Sequence, residues 1–169
     1  PIEVIYPRSG QVYFERLRHA SIFHDVAHIV PRPISLPTGL SDELVVARAG
    51  ELTISARPLD HRVDTFGYRL QEDDGRRMLP ERLAQHGLRG AQIGELVKHG
   101  AVSVGDKQVT LAEVSEARPG QALAVVMDTR PCPGATALAR GVDLLVCEST
   151  YLSSEAQEAH EHYHMTAAQ

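Results

Sequence analysis

Apolar positions along this chain fall in short blocks of alternating or continuous runs, not in long stretches of helical spacing. Ile2-Glu3-Val4-Ile5-Tyr6 predicts a short strand, stopped by Pro7 and Gly10. Residues 11–29 mix apolar positions at helical spacing, with Val12, Phe14, Leu17, Ile22 and Phe23. Pro31, Pro33 and Pro37 then forbid a continuous helix and predict a linker or an irregular edge. Residues 43–49 and 51–57 predict two strands around Gly50, a hairpin, with clean alternation in Leu52-Thr53-Ile54-Ser55-Ala56.

Thr65 to Leu70 predicts a further strand, in which Gly67 permits close backbone approach. Asp73-Asp74-Gly75 is a turn, and residues 78–100 carry helical pieces broken at Gly87, Gly90 and Gly94. Val109-Thr110-Leu111 is a candidate short strand. Arg118-Pro119-Gly120 turns the chain into a strong strand over 121–127. Ala135 to Arg140 predicts a short helix ended by Gly141, and a strand follows over 143–147. Ser153 is a candidate cap for a helix from about 154. Strand, helix, strand over 121–147 is a βαβ unit, so the fold class is α/β.

Both strands of that unit end in an acid: Asp128 follows Val125-Val126-Met127, and Glu148 follows Val146-Cys147. An α/β fold builds its sites where strand ends deliver polar groups to one rim of the sheet. Either acid alone also reads as a turn cap. Two histidines stand near further element ends. His61 follows a predicted strand, and His164 lies beyond the last predicted helix start. A neutral imidazole is a common zinc ligand; a lone one is as readily a surface residue beside a turn. His160 and His164 are four apart and share a face if the helix continues. The His-Glu-x-x-His of a zincin is not present, so His160 and His162 are assigned to the helix surface. His24-Asp25 forms a further acid–imidazole pair with no second feature beside it.

Four segments together carry a resemblance. They are His61-Arg62-Val63-Asp64-Thr65-Phe66-Gly67-Tyr68-Arg69, Met127-Asp128-Thr129-Arg130-Pro131, Cys147-Glu148-Ser149-Thr150 and His164-Met165-Thr166. In this order and spacing they resemble the ribonuclease Z family of metallo-β-lactamase-fold endonucleases, which trim the 3′ end of precursor tRNA. The resemblance implies a truncated αββα sandwich, a single partial domain over residues 1–169, and an inserted arm over 75–118 that clamps tRNA away from the catalytic centre. It implies two zinc ions per intact site, with His61 and Asp128 as ligands and Asp128 as the bridging carboxylate. Glu148 and His164 would form the pair that supports proton transfer at the leaving oxygen. A homodimer is implied as well. The chain departs from the family at Cys147, where histidine is usual, at Ser149 for alanine and at Met165 for serine. Gly90-Ala91 replaces the arm's Gly-Pro. Cys147 is expected to be a buried thiol at a strand end. The family's His-x-His-x-Asp-His motif does not occur in these residues, so the expectation is the middle and later part of a longer protein.

Composition refines this picture modestly. The chain has 169 residues, enough for a core, and a net charge of −5, against the basic balance usual for a nucleic-acid binder. Charge is nevertheless uneven. Residues 75–100 hold Arg76, Arg77, Arg82, Arg89 and Lys98 against Glu81 and Glu95, a local +3, which leaves −8 for the rest. These five cations are candidate phosphate contacts, or else a solvated face. Cys132 and Cys147 form neither a disulfide framework nor a paired zinc motif, which fits a reduced, cytoplasmic setting. Two other functions stay open: a small-molecule phosphodiesterase of the same fold, and a non-catalytic relative acting as a binding module.

Overall fold

A computed structural model describes residues 1–22, 26–36 and 43–169. The His24-Asp25 pair and Pro37 lie outside the described residues. The chain divides into two compact units, residues 1–72 with 121–169, and residues 73–120.

The first unit is built on a five-stranded mixed sheet. Its strands are β3 (Leu44–Ala49), β4 (Leu52–Pro58), β5 (Phe66–Glu72), β10 (Ala122–Val126) and β11 (Leu144–Cys147), in the order β11-β10-β5-β4-β3. The β3–β4 hairpin turns at Gly50, which has φ of +62°, as the sequence predicts. β10 and β11 are parallel and joined through helix α4 (Pro133–Ala139), which is the βαβ unit. β1 (Ile2–Pro7) and β2 (Ile29–Ile34) form a separate parallel pair, and α1 (Gln11–Arg18) stacks Phe14 on Tyr6 at 4.5 Å between centroids.

Alternation along β5 explains how these layers meet. Gly67 faces α4, where a Cβ would run into the Leu138 side chain. Arg69, two residues on and on the same face, donates to the carbonyls of Leu138 and Arg140. Tyr68 between them points the other way, and its hydroxyl donates to the Ile5 carbonyl in β1. The five-stranded sheet is therefore covered by α4 on one face and approached by β1 on the other. Ala124, Val126, Ala135, Leu138 and Met165 form the core on the helical side.

Two expectations are corrected here and one is narrowed. Pro31 and Pro33 lie inside strand β2, so of the two alternatives the chain takes the edge and not the linker. Ile2 donates to the His28 carbonyl, so alternate residues of β2 face β1 and both prolines fall on the outer edge, where no ladder donor is needed. Ser153 opens a 3-10 turn instead of capping it; the cap position is Leu152, whose N–H donates to Glu155 Oε2. Helix α5 (Ala156–His162) stops before His164, so His160 and His164 do not share a helix face.

The second unit has its own core of Leu83, Leu88, Leu96, Val109 and Val114. It holds β6 (Gly75–Met78) paired with β9 (Ser115–Arg118), the hairpin β7 (Ala101–Val104) and β8 (Lys107–Thr110), and helices α2 (Pro80–Gln85) and α3 (Ala91–His99). Gly94 does not break α3 as expected; an isolated glycine costs a helix only about 1 kcal/mol relative to alanine.

Candidate active site

Four element ends converge at one rim of the first unit. After β4, Leu59 donates to the Thr65 carbonyl and Asp60 forms an isolated antiparallel bridge with Arg130, which places His61 at the bend. After β10 the chain turns sharply at Asp128, whose φ is +50°, a left-handed conformation that asparagine and aspartate tolerate better than other side chains. After β11, Glu148 donates its N–H to the Val126 carbonyl and enters the rim buried. After α5, Tyr163 takes φ of +63° and turns the chain so that His164 leaves the helix.

Glu148 organises the centre. Its Oε1 accepts from the Thr129 amide at 2.6 Å, and its Oε2 accepts from the Thr150 hydroxyl at 2.6 Å and the Met165 amide at 3.2 Å. His164 Nδ1 lies 3.1 and 3.0 Å from the two oxygens. Burial pushes this carboxyl's pKa up, but the bonds from Thr150, Thr129, His164 and Met165 outweigh burial and hold it below the ordinary range. Glu148 is therefore an anion, and both of its oxygens face His164 Nδ1.

Donor atoms of Asp128, Glu148 and His164 lie within 4.8 Å of one another, close enough to share a metal ion. The oxygens of Glu148 are already occupied by four donors, which leaves Asp128, exposed, as the carboxylate free to ligate. The His61 ring stands 5.4 Å from the His164 ring in an edge-on arrangement. Its Nδ1 is buried without a hydrogen-bond partner among the described residues. An imidazole nitrogen sealed from water in this way needs a ligand to compensate its burial, and a metal ion fits that need.

Sequence reading missed Thr129 and Arg130, although both lie in a segment it singled out. Thr129 is fully buried; its Oγ1 accepts the Asp60 N–H at 3.0 Å and donates to the Arg130 carbonyl at 2.8 Å. The available signal was a hydroxyl residue next to the strand-end acid Asp128. Cys147 differs from expectation: it is exposed, because β11 is an edge strand exposed along all four residues. Its Sγ lies 3.7 Å from Met165 Sδ, and the two line an apolar cavity of about 430 Å³ with Val126 and Cys132. Two of the departures from the family pattern, Cys147 and Met165, are thus in contact.

In the second unit, three of the five candidate phosphate contacts are engaged internally. Arg76 donates to Ser115, Arg77 pairs with Glu116 at 2.6 Å, and Arg82 donates to the Glu113 carbonyl. Arg89 and Lys98 are exposed, with no side-chain bond to another described residue.

No family model matches the chain. It is 49% identical over all 169 residues to ribonuclease Z of Nocardia farcinica, covering 54% of that protein. It is 48% identical over 169 residues to ribonuclease Z of Salinispora arenicola and 42% identical to that of Chlamydia trachomatis serovar D, covering 53% and 54% of them. The crystal structure of human tRNase Z, short form, matches 99% of this chain and 54% of its own length with a TM-score of 0.58 at 16% identity, which shows the metallo-β-lactamase fold. Over its full length the chain is a homologue of ribonuclease Z, and it spans about half the length of the curated relatives it matches.

Proposed function

We propose that this chain belongs to a zinc-dependent endoribonuclease that hydrolyses the phosphodiester at the 3′ end of precursor tRNA, leaving a tRNA 3′-hydroxyl and a trailer with a 5′-phosphate. The observation that carries this reading is the Glu148–His164 pair at 3.0 Å beside the Asp128 carboxylate, on a chain similar throughout to ribonuclease Z. His61 and Asp128 are the residues that would hold metal. A bound zinc pair would polarise the phosphate and make water a competent nucleophile near neutral pH.

The chain's own residues then handle the leaving group. Glu148 holds the Nδ1 proton of His164 and stabilises the positive ring, and Nε2 delivers a proton to the departing 3′ oxygen. The left-handed turn at Asp128 leaves its exposed carboxylate beside Glu148 and His164 while Thr129 anchors the following peptide to Glu148. Residues 75–118 serve as an arm that contacts tRNA backbone away from the cleaved bond, chiefly through Arg89 and Lys98, with Arg76, Arg77 and Arg82 held closer to the arm itself. Two zinc ions per intact site, a homodimer and a cytoplasmic setting complete the reading.

The test is cleavage of precursor tRNA by the full-length protein that carries this chain, with metal content measured in parallel. His164→Ala is expected to lower turnover by about 10²–10⁴-fold with little loss of zinc. Equal loss of both would make His164 a metal ligand. Cleavage of small phosphodiesters with no action on tRNA would favour the small-molecule enzyme, and an intact protein inert toward both would favour a binding module.

A further inference from the structure

We propose that Arg130 is a positioning residue, a clamp that sets the orientation of His164 through Tyr163 and of the His61 loop through Asp60. The inference rests on the reading of His164 as the proton carrier. On one side, Arg130 Nε donates to Asp60 Oδ2 at 2.7 Å, and the Arg130 amide donates to the Asp60 carbonyl at 3.2 Å. The Asp60 N–H is taken by Thr129 Oγ1 at 3.0 Å, so the residue preceding His61 is held by backbone and side chain together. On the other side, the guanidinium carbon sits 4.3 Å from the centroid of the Tyr163 ring, and Nη1 lies 3.5 Å from His160 Nε2.

Tyr163 is the critical contact. It is a bulky residue in a left-handed conformation, φ +63°, which L side chains adopt only when their surroundings hold them there. That turn ends α5. The His164 amide caps back to the Ala159 carbonyl at 2.8 Å, and the His164 ring is directed to Glu148. A planar cation stacked on the Tyr163 ring resists its rotation, and the same cation is fixed at its Nε by Asp60. The Tyr163 ring also stands 6.2 Å from the His61 ring, so one guanidinium lies between the supports of both imidazoles.

A solvated surface ion pair would contribute little to any of this. Arg130 differs from such a pair in geometry and not in burial: its side chain is 26% exposed and that of Asp60 41%, but Asp60 and Tyr163 are the chain neighbours of His61 and His164 and both are held by the one guanidinium. Lysine can keep the charge but cannot stack its plane on Tyr163 while donating sideways to Asp60.

The experiment uses the full-length protein with Arg130→Ala, Arg130→Lys, Tyr163→Leu, His164→Ala and the Arg130→Ala/His164→Ala double variant. Precursor tRNA kinetics, zinc content and the slowly exchanging His164 Nδ1–H proton resonance are measured. Arg130→Ala should lower kcat by about 10–100-fold with KM and zinc content within about twofold, and Arg130→Lys should recover part of the loss. In the His164→Ala background the same change should cost less than about threefold, since the group it positions is gone. The Nδ1–H resonance should broaden or vanish in Arg130→Ala while the remaining amide spectrum stays dispersed. If Arg130→Ala fails to fold, Tyr163→Leu breaks the same stack without removing the charge, and it should reproduce the resonance change. A full, multiplicative loss in the His164→Ala background, or a loss confined to KM, overturns the clamp and makes Arg130 an RNA contact. An unchanged Nδ1–H resonance in both variants overturns it as well. If the protein does not cleave precursor tRNA but the resonance depends on Arg130, the clamp stands and the tRNA reading fails.

Discussion

The Thr129 amide donates to Glu148 Oε1 at 2.6 Å, so the residue that follows Asp128 is bonded directly to the carboxylate that orients His164. The end of β10 and the end of β11 are thereby one unit, and the parallel pairing of these strands fixes their spacing. The Thr129 hydroxyl extends the connection to Asp60, next to His61.

Thr129→Val keeps the amide and the shape but strands the half-buried Asp60 N–H. We expect a loss of about 1–3 kcal/mol in stability, the cost of an unsatisfied donor. Thr129→Ser should retain most of it. Urea denaturation reads the difference as a lower midpoint at unchanged slope; equal midpoints for Val and Ser would mean the hydroxyl bond contributes nothing.

Glu148 gives the protein an acid limit. Its carboxyl lies below the ordinary range in the folded state, against about 4.3 unfolded. A depressed carboxylate contributes stability that is complete above the unfolded value and is lost as pH falls through the folded one. Melting temperature should therefore drop as pH falls below about 4. Glu148→Gln should lower stability at pH 7, because its amide group faces other donors, and flatten that acid decline. A Glu148→Gln curve parallel to wild type would assign the acid limit to other groups.

How much of this was legible beforehand follows the range of each interaction. β10, α4 and β11 were readable because both strands are continuous apolar runs and the helix between them is a local pattern. β6 and β9 were not, since Gly75–Met78 and Ser115–Arg118 have no apolar run and pair across 40 residues. Asp128, Glu148, His61 and His164 were singled out through a resemblance carried by short motifs. The bonds that organise them, from the Thr129 amide, the Thr150 hydroxyl and the Met165 amide, use backbone atoms and a small hydroxyl whose partners cannot be read from sequence. Cys147 was misjudged because its strand looks like a core strand but lies at the sheet edge.

Two glycine substitutions should have opposite signs. A Cβ at Gly134 would run into the Pro58 carbonyl oxygen, a backbone atom that cannot swing aside. Gly134→Ala should cost about 1–3 kcal/mol by overpacking. Gly94 lies inside α3 with open space around it, so Gly94→Ala should add up to about 1 kcal/mol. Thermal unfolding of both variants checks the pair, and stabilisation by Gly134→Ala would displace the close packing of α4 on β4.

A polypeptide of these 169 residues alone should hold zinc weakly. On the proposed reading His61 and Asp128 would supply two ligands, and a four-coordinate site needs more. Competition against a chromophoric chelator should show no tight stoichiometric uptake. Two tightly bound zinc ions on this polypeptide would require ligands other than those assigned.

The second unit makes the sharpest electrostatic prediction, because its cations are not equivalent. Arg77 is paired with Glu116 at 2.6 Å, and Arg76 and Arg82 are tied to Ser115 and the Glu113 carbonyl. Arg89, beside the Gly90 turn, and Lys98, in the last turn of α3, are exposed and unengaged among the described residues. Phosphate neutralisation releases counterions, so each cation that contacts the RNA adds about 0.7–0.9 to the slope of log affinity against log salt. In the full-length protein, Arg89→Ala and Lys98→Ala should each weaken precursor tRNA binding and each lower that slope by about one, while Arg77→Ala changes it far less. Hydrolysis of a small phosphodiester should be nearly unchanged in all three, because on the proposed reading these cations contact RNA phosphates other than the one cleaved, and such contacts position the substrate without entering the chemistry. Binding measured by filter retention from low to moderate salt reads the slopes. An Arg77→Ala slope change equal to that of Arg89→Ala would mean the Glu116 pair opens on binding. Parallel losses on tRNA and small phosphodiester would make residues 73–120 a structural support of the domain and not an RNA contact.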